Sequence, residues 1–292
     1  MANNITKFKK YIEMLDEVYQ VSSLTSKLDS DSTLARAGAN ANEIVIPKIS
    51  MDGLADYSRN SGYVTGDVDL TMETVQFNYD RGRKFNIDAM DNEETVGMAF
   101  GKLSSEFIRT KVVPELDAFR FSTYAGISGI SKVATPAALS TGADVIAALR
   151  VATNKMDEDE VPYEDRHLFI TPTLKGLIDD LDTTKSKEVL SRFASVNLVP
   201  QTRFYTAIEL KDGTSENELV GGYAKASGAH DINFMVIRPD ALTQYPKHSV
   251  NKIFSPDQNQ DADAWIFCYR GYGLADAYEN KVAGIYLHDK NS

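Results

Sequence analysis

The chain of 292 residues carries 42 acidic against 31 basic side chains, a formal net charge of −11, so its bulk electrostatics repel nucleic acid and repel further copies of itself. Its composition, 42% apolar and 25% charged, is that of an ordinary globular protein, of a length that calls for more than one compact lobe. No run approaches the roughly 18 apolar residues of a membrane span, and Met1-Ala-Asn-Asn-Ile-Thr6 lacks the basic and apolar regions of a signal peptide, which points to a cytoplasmic origin.

Ile5, Phe8, Ile12, Leu15 and Tyr19 recur at spacings of three and four, which predicts an amphipathic helix over 4–28. So narrow a stripe needs something to pack on. Small and polar residues at 29–42 follow as a linker, so 1–42 reads as an arm. Residues 43–88 look extended. Glu43-Ile-Val-Ile-Pro-Lys-Ile49 is strand-like, with Pro47 favouring an edge. A glycine-punctuated polar stretch, Asp56 to Asp67, comes next. Leu70, Met72, Thr74, Gln76 and Asn78 then alternate with Thr71, Glu73, Val75, Phe77 and Tyr79, and neither set is cleanly apolar. A ribbon with two mixed faces has no core of its own to cover, so it calls for a partner surface.

The strongest helix is expected at 91–124, capped by Asp91 or Asn92 with Glu93 and Glu94 in its first turn. Val96, Phe100, Leu103 and Phe107 form its stripe, Pro114 should kink it, and Leu116, Phe119 and Thr123 resume beyond. Roughly 33 residues at 1.5 Å each make a rod of about 50 Å. Residues 135–235 alternate helix and strand. A helix is expected from Pro136 to Met156 on the Val145, Leu149 and Ala152 stripe. A strand at Arg166–Pro172 enters a helix at Pro172–Ile178. Lys211–Glu218 is a turn, Glu218–Tyr223 a weak strand and Ile232–Ile237 a strong one. Strands are expected at Ser249–Ser255, Ala264–Tyr269, Leu274–Tyr278 and Val282–His288. The class is α+β.

Motifs for chemistry are absent or incomplete. There is no phosphate loop, and Gly271-Tyr-Gly273 has Asp276 where a dinucleotide fingerprint needs its third glycine, so a bulge or turn is expected there. His167, His230, His248 and His288 are isolated. Asp67 with Asp69, and Asp261 with Asp263, lack the further oxygen ligands of a calcium loop. No Gly-x-Ser-x-Gly elbow is present. Cys268, the one cysteine, excludes an internal disulfide and reads as a small buried core residue within Trp265-Ile-Phe-Cys-Tyr269. The acidic run Asp157-Glu-Asp-Glu160 reads as an exposed loop. Basic and aromatic residues interleave once, in Asn78–Phe85, where Arg81, Arg83 and Lys84 suit acidic patches of a neighbouring subunit. No catalytic, metal or cofactor-binding residue is expected, and neither enzyme activity nor a cofactor.

The order of arm, two-stranded loop, long helix, α/β lobe and late strands resembles the Hong Kong 97-like fold of tailed-bacteriophage major capsid proteins. Two segments carry most of the resemblance. Ser105-Glu-Phe-Ile-Arg-Thr-Lys-Val-Val-Pro-Glu-Leu-Asp-Ala-Phe119 is similar to the family's spine helix, and Trp265 to Leu287 to its final strands. The resemblance covers nearly the whole chain. It implies an N-terminal arm at 1–42, an extended loop and its base at 43–88, and a peripheral-domain spine at 89–125. It further implies an axial domain at 126–238, peripheral strands at 239–276 and an axial return at 277–292. Arg59, Tyr63, Arg81, Arg83 and Lys84 become subunit-interface candidates. The implied partners are the chain itself in hexamers and pentamers, a separate scaffolding protein (the chain starts directly at the arm), a portal and decoration proteins. The shell would enclose double-stranded DNA without sequence-specific binding, contact no membrane, assemble in the bacterial host cytoplasm and end in the virion. No lysine occurs between Met51 and Arg83, so cross-linking through the loop tip, known in the family, is not expected. An encapsulin-like nanocompartment is the nearest alternative. An α+β enzyme and a DNA-binding accessory protein are weaker ones.

Overall fold

The computed structural model describes residues 23–30, 36–37, 43–94, 98–181 and 184–290. Most of the helix expected at 4–28 and much of the linker expected at 29–42 lie outside the described residues, as does Val96. The first strands are β1 (Arg36–Ala37), β2 (Glu43–Met51) and β3 (Val68–Gln76), paired antiparallel in that order. Then β4 (Tyr79–Asp88) runs into α1 (Ala89–Glu94), followed by α2 (Met98–Phe107), a wide π turn at Ile108–Val112 and α3 (Val113–Gly126).

Two local details differ from expectation here. The Asp88 carboxylate accepts the Met90 N–H at 2.9 Å, so the helix starts directly after β4 and not at Asp91 or Asn92. Pro114 has no N–H and its ring crowds the preceding turn. The backbone answers by widening just before it, with the Val113 N–H reaching back to the Ile108 carbonyl.

The rest of the chain forms β5 (Ser131–Lys132), α4 (Gly142–Glu158), β6 (His167–Ile170), α5 (Pro172–Asp179), α6 (Thr184–Leu190), β7 (Ser195–Leu198), β8 (Ile208–Leu210), β9 (Tyr223–Lys225), β10 (Asp231–Ile237), β11 (Leu242–Phe254), β12 (Ala264–Ala277) and β13 (Ile285–Lys290). The helix expected from Pro136 begins only at Gly142. Thr141 and Asp144 form a reciprocal capping box, each side chain accepting the other's backbone N–H at 3.2 Å. Gly142 is required there, because a Cβ would stand 2.1 Å from the Leu177 carbonyl of α5.

A five-stranded sheet in the order β5-β13-β10-β6-β7 forms the centre. Its inner strand β10 is apolar from Ile232 to Ile237, apart from Asn233, because both faces are covered. On one face Leu168, Ile170, Phe234, Val236 and Tyr286 meet Val145, Leu149, Ala152 and Met156 of α4. On the other, Phe169, Met235, Ile237 and Leu287 meet Phe121 and Tyr124 of α3 and Leu28 of the N-terminal segment. Each such fully buried side chain contributes about 1.5–3 kcal/mol.

A second sheet, β11-β12-β4, packs Phe85, Phe267 and Tyr269 on Phe107, Ile108, Val112 and Val113 of the helical run. So β4 is a full strand of this sheet and not merely the base of an extended loop. β12 is continuous where two separate strands were expected. Gly271 and Gly273 lie inside it, and the bulge sits opposite them, between Pro246 and His248 of β11. A Cβ on Gly271 would come within 2.9 Å of the Tyr269 hydroxyl, and one on Gly273 within 3.1 Å of the Tyr245 carbonyl. Cys268 is half-buried on the face away from Phe267 and Tyr269, not a core residue. The chain reaches β13 through a 3-10 turn, Glu279–Gly284.

Candidate assembly interface

The β2–β3 hairpin has two differently built halves. Cross-strand partners share a face, so the register Ile44↔Val75 and Ile46↔Glu73 puts Ile44, Ile46 and Val75 together. These pack inward on Tyr245 and Leu274. Farther out the same face turns polar: Lys48 pairs with Glu279 at 2.5 Å, and Ser50 lies opposite Asp69. The apolar residues cross to the other face, where Pro47↔Met72, Ile49↔Leu70 and Met51↔Val68 stack in register. Ile49, Met51, Val68, Leu70 and Met72 are all more than half exposed. The ribbon read as mixed in sequence because its apolar side changes over midway.

The hairpin end, residues 52–67, carries Arg59 and Tyr63. Tyr63 is 89% exposed and meets Tyr57 edge-on at 4.9 Å. Three aspartates, Asp52, Asp56 and Asp67, stand there against the single Arg59, and Asp69 follows in β3.

Carboxylates also gather where the hairpin joins the body. Burial, with Glu279 and Asp276 near, raises the Glu73 carboxyl above its ordinary value. Burial raises Asp276 likewise, the Ala277 N–H opposing and Glu279 adding.

The other interface candidates lie on β4 and do not form one site with Arg59 and Tyr63. Arg81 donates to Glu115 at 2.7 Å and to the Gly222 carbonyl at 3.3 Å. Burial opposes its charge, but the Glu115 carboxylate outweighs burial and keeps the guanidinium above its ordinary pKa. Arg83 donates to the Leu219 carbonyl at 3.0 Å. Lys84 points from the opposite face, exposed beside Cys268. The two arginines thus tie the 211–222 loop to β4. That loop is stiffened by Asp212, held far below the usual carboxylate range first by the Ser215 hydroxyl and then by the Ser215 and Thr214 backbone N–H groups. Gly213, at φ +73°, leaves room for the Arg83 guanidinium.

Between β4, the helical run and this loop lies a groove of about 1090 Å³. Its apolar lining includes Phe85, Leu103, Phe107 and Pro114, and Lys111, Arg203 and Lys211 stand among its polar residues. The sequence reading missed it. The Asp212-Gly-Thr-Ser215 turn and Gly221-Gly222, with φ of +68° and +84°, were the available signals of an ordered loop.

The N-terminal segment is fastened by a residue the sequence reading also missed. Asp117 of α3, wholly buried, accepts from the Ser23 hydroxyl at 2.9 Å and the Thr25 hydroxyl at 2.7 Å. It also accepts from the Leu24 and Thr25 backbone N–H groups and from Arg203. Arg120 donates to the Thr25 hydroxyl and to Asp29, and Gln244 to the Thr25 carbonyl. Tyr124, its hydroxyl raised in pKa by complete burial, donates to Gln244.

The acidic run at 157–160 is partly neutralised in place, Asp157 by Arg166 and Asp159 by Lys155. Among the described residues no group of three or more His, Cys, Asp or Glu is placed to hold a metal ion. No helix among them is long and apolar enough to cross a membrane.

No protein-family model matches the sequence, and no curated protein does. Solved structures do. A chain from Mycobacterium phage Che8 superposes with a TM-score of 0.59 at 12% identity, over 91% of this chain and 90% of that one. The capsid structure of cyanophage P-SCSP1u gives 0.56 at 15%, over 88% and 86%. The virus-like particle from Pyrococcus furiosus gives 0.58 at 10%, over 96% and 98%. The chain therefore has the fold of phage capsid structures, the Hong Kong 97-like fold expected from its order of elements.

Proposed function

We propose that this chain is the major capsid protein of a tailed bacteriophage, a non-enzymatic subunit that assembles into the icosahedral head around packaged double-stranded DNA. Neighbouring subunits overlap through their hairpins and N-terminal arms without covalent links. The observation that carries this reading is the distal half of the hairpin, whose in-register apolar side chains have no cover among the described residues. An exposed apolar surface of this kind marks a contact site. On this reading 89–125 and 239–276, with β4, form the peripheral domain, and 126–238 and 277–292 the axial domain. A scaffolding protein, a portal and decoration proteins are its partners, with assembly in the host cytoplasm and residence in the virion.

The test is electron microscopy of the purified chain, alone and with its scaffolding protein, across a range of salt. Closed shells are expected, favoured by salt that screens the charge of −11. A species that stays monomeric or dimeric under every condition refutes the reading. A second reading, an encapsulin-like compartment with protein cargo, is compatible with the likeness to the Pyrococcus virus-like particle over 98% of that chain. The contents of purified particles, DNA or a cargo protein, decide between the two.

A further inference from the structure

We infer that the groove framed by β4, the helical run and the 211–222 loop is covered, in the free subunit, by the stretch of its own chain that precedes Ser23. The occupant is the amphipathic segment from Ile5 to Tyr19. The contact lies within one chain, so the inference goes beyond the shell reading and does not depend on it.

Ser23 is held at the edge of the groove. Its hydroxyl donates to Asp117 at 2.9 Å, and Arg203, which holds the same carboxylate at 3.4 Å, belongs to the groove lining. Residues 20–22 span up to about 10 Å when extended, enough to carry the chain past Arg203. The long axis of the groove is fixed by contacts across its floor: Tyr79 on Phe119 at 4.9 Å, Arg81 on Glu115 at 2.7 Å and Phe85 on Phe107 at 4.8 Å. The groove thus follows the helical run from the level of Asp117 to Leu103, about 21 Å at 1.5 Å per residue. Ile5 to Tyr19 as a helix has the same length of about 21 Å.

Chemistry and charge order match along that axis. The stripe of Ile5, Phe8, Ile12, Leu15 and Tyr19 needs a surface to pack on. The groove offers about 1090 Å³, with Phe85, Leu103, Phe107 and Pro114 in its lining, more than the roughly 300–1,000 Å³ of small-molecule sites. Asp16 and Lys9, seven residues apart, flank the same edge of the stripe. Laid down from its tether with Tyr19 beside Glu115, the segment brings Asp16 to the level of Lys111 and Lys9 to the level of Glu106. Arg83, between Arg81 and Phe85 on β4, stands at the Lys111 level too, and both of these cations are exposed. The reverse direction would set Lys9 against the cations and Asp16 against Glu106. The tether raises the effective concentration of the segment to about the millimolar range, so the cover forms where subunits are far apart. Where the shell reading also holds, the segment must leave the groove before it can reach a neighbour, and the cover holds free subunits back from assembly.

The test is hydrogen exchange of the full chain, read by mass spectrometry over 5–19 in a dilution series that reaches single subunits by sedimentation. Amides of 5–19 are expected to exchange at least about tenfold more slowly than an unstructured chain, independently of concentration. Phe8→Ser with Ile12→Ser should bring them to the unstructured rate and raise binding of the anionic apolar dye anilinonaphthalenesulfonate at least about threefold. Asp16→Lys and Lys111→Glu should each cut the protection about threefold, the scale of an exposed ion pair, and the two together should restore it. Thermal melting confirms that each variant folds. Free exchange over 5–19, protection that rises with concentration and so marks a second copy as the source, or no recovery in the double charge variant overturns the inference. Protected subunits that never form shells leave the cover standing and refute the shell reading. Shells built from subunits whose 5–19 exchanges freely do the reverse.

Discussion

Replacing Asp117 by alanine should unfasten the N-terminal segment and destabilise the whole subunit. The carboxylate is fully buried and accepts five hydrogen bonds, from Ser23, Leu24, Thr25 twice and Arg203. Alanine leaves the Leu24 and Thr25 backbone N–H groups without an acceptor and Arg203 without its carboxylate. The Thr25 hydroxyl, which accepts from Arg120 at 2.9 Å, can turn its own O–H to the Ser23 hydroxyl at 3.3 Å, which softens the loss. Each stranded buried donor costs about 1–3 kcal/mol, so the two backbone N–H groups together cost about 2–6 kcal/mol, while Arg203, 22% exposed, turns to water. The total is therefore about 4 kcal/mol, a large share of the roughly 5–15 kcal/mol that holds a typical fold together. At about 2–4 °C per kcal/mol the melting temperature should fall by roughly 8–16 °C. Asp117→Asn, which keeps an acceptor oxygen, should fall between. Limited proteolysis supplies a second readout, with new cleavage within 23–30 in the alanine variant. The control is Glu106→Ala, which removes an exposed ion pair with Arg109 and should cost under about 1 kcal/mol. An alanine variant at 117 within about 1 kcal/mol of the unchanged chain, resistant to cleavage in 23–30, would refute the reasoning.

Three further outcomes can be measured. Gly142→Ala drives a Cβ to 2.1 Å from a backbone carbonyl and should cost about 2 kcal/mol in urea unfolding, whereas Gly53→Ala, with nothing within 4 Å, should change stability by under about 0.5 kcal/mol. Asp276 has a raised pKa, so its folded form holds a proton more readily than the unfolded chain, and stability falls as pH rises through that window above 3.8. Asp276→Asn should thus raise the melting temperature at pH 7, with the gain disappearing below about pH 3.8; an equal gain at both pH values contradicts the assignment. With no lysine between Met51 and Arg83, assembled particles boiled in denaturant should run as one monomer band, and a ladder would show covalent links.

The elements whose periodicity runs unbroken were legible from residues alone. β10 announced itself by its apolar run, α4 by Val145, Leu149 and Ala152, and the start of α5 by Pro172. Their burial is set by neighbours on the same element, which a sequence window contains. Boundaries made by side chains were not legible. Asp88 and the Thr141–Asp144 box decide where two helices start, and both look like ordinary polar residues in sequence. The glycines of β12 read as punctuation because the rings and carbonyls that need their missing Cβ atoms come from Tyr269 and Tyr245, the latter on another strand. The candidate site was half legible. An unpartnered ribbon at 43–88 was expected, but a search for one apolar face over its whole length averaged away two halves of opposite orientation. Asp117 and the groove were invisible for a different reason: both depend on contacts between distant segments, such as Thr25 with Asp117, 92 residues apart, and Arg81 with Gly222, 141 residues apart.

Two elements pass from one core to another without a break. The helical run holds Ile108 and Val113 in the packing around Phe267, and Phe121 and Tyr124 in the packing around Met235. β12 does the same with Phe267 at one end and Ala275 at the other. Neither core can come apart without unravelling a helix or unzipping a ladder that the other also depends on. A chain long enough for two independently melting lobes is thereby bound into one cooperative unit, with a single calorimetric transition whose enthalpy matches the van't Hoff value. The same linkage means that energy gained at the hairpin end, far from the central sheet, raises the protection of β10 amides against exchange as much as it raises that of β4.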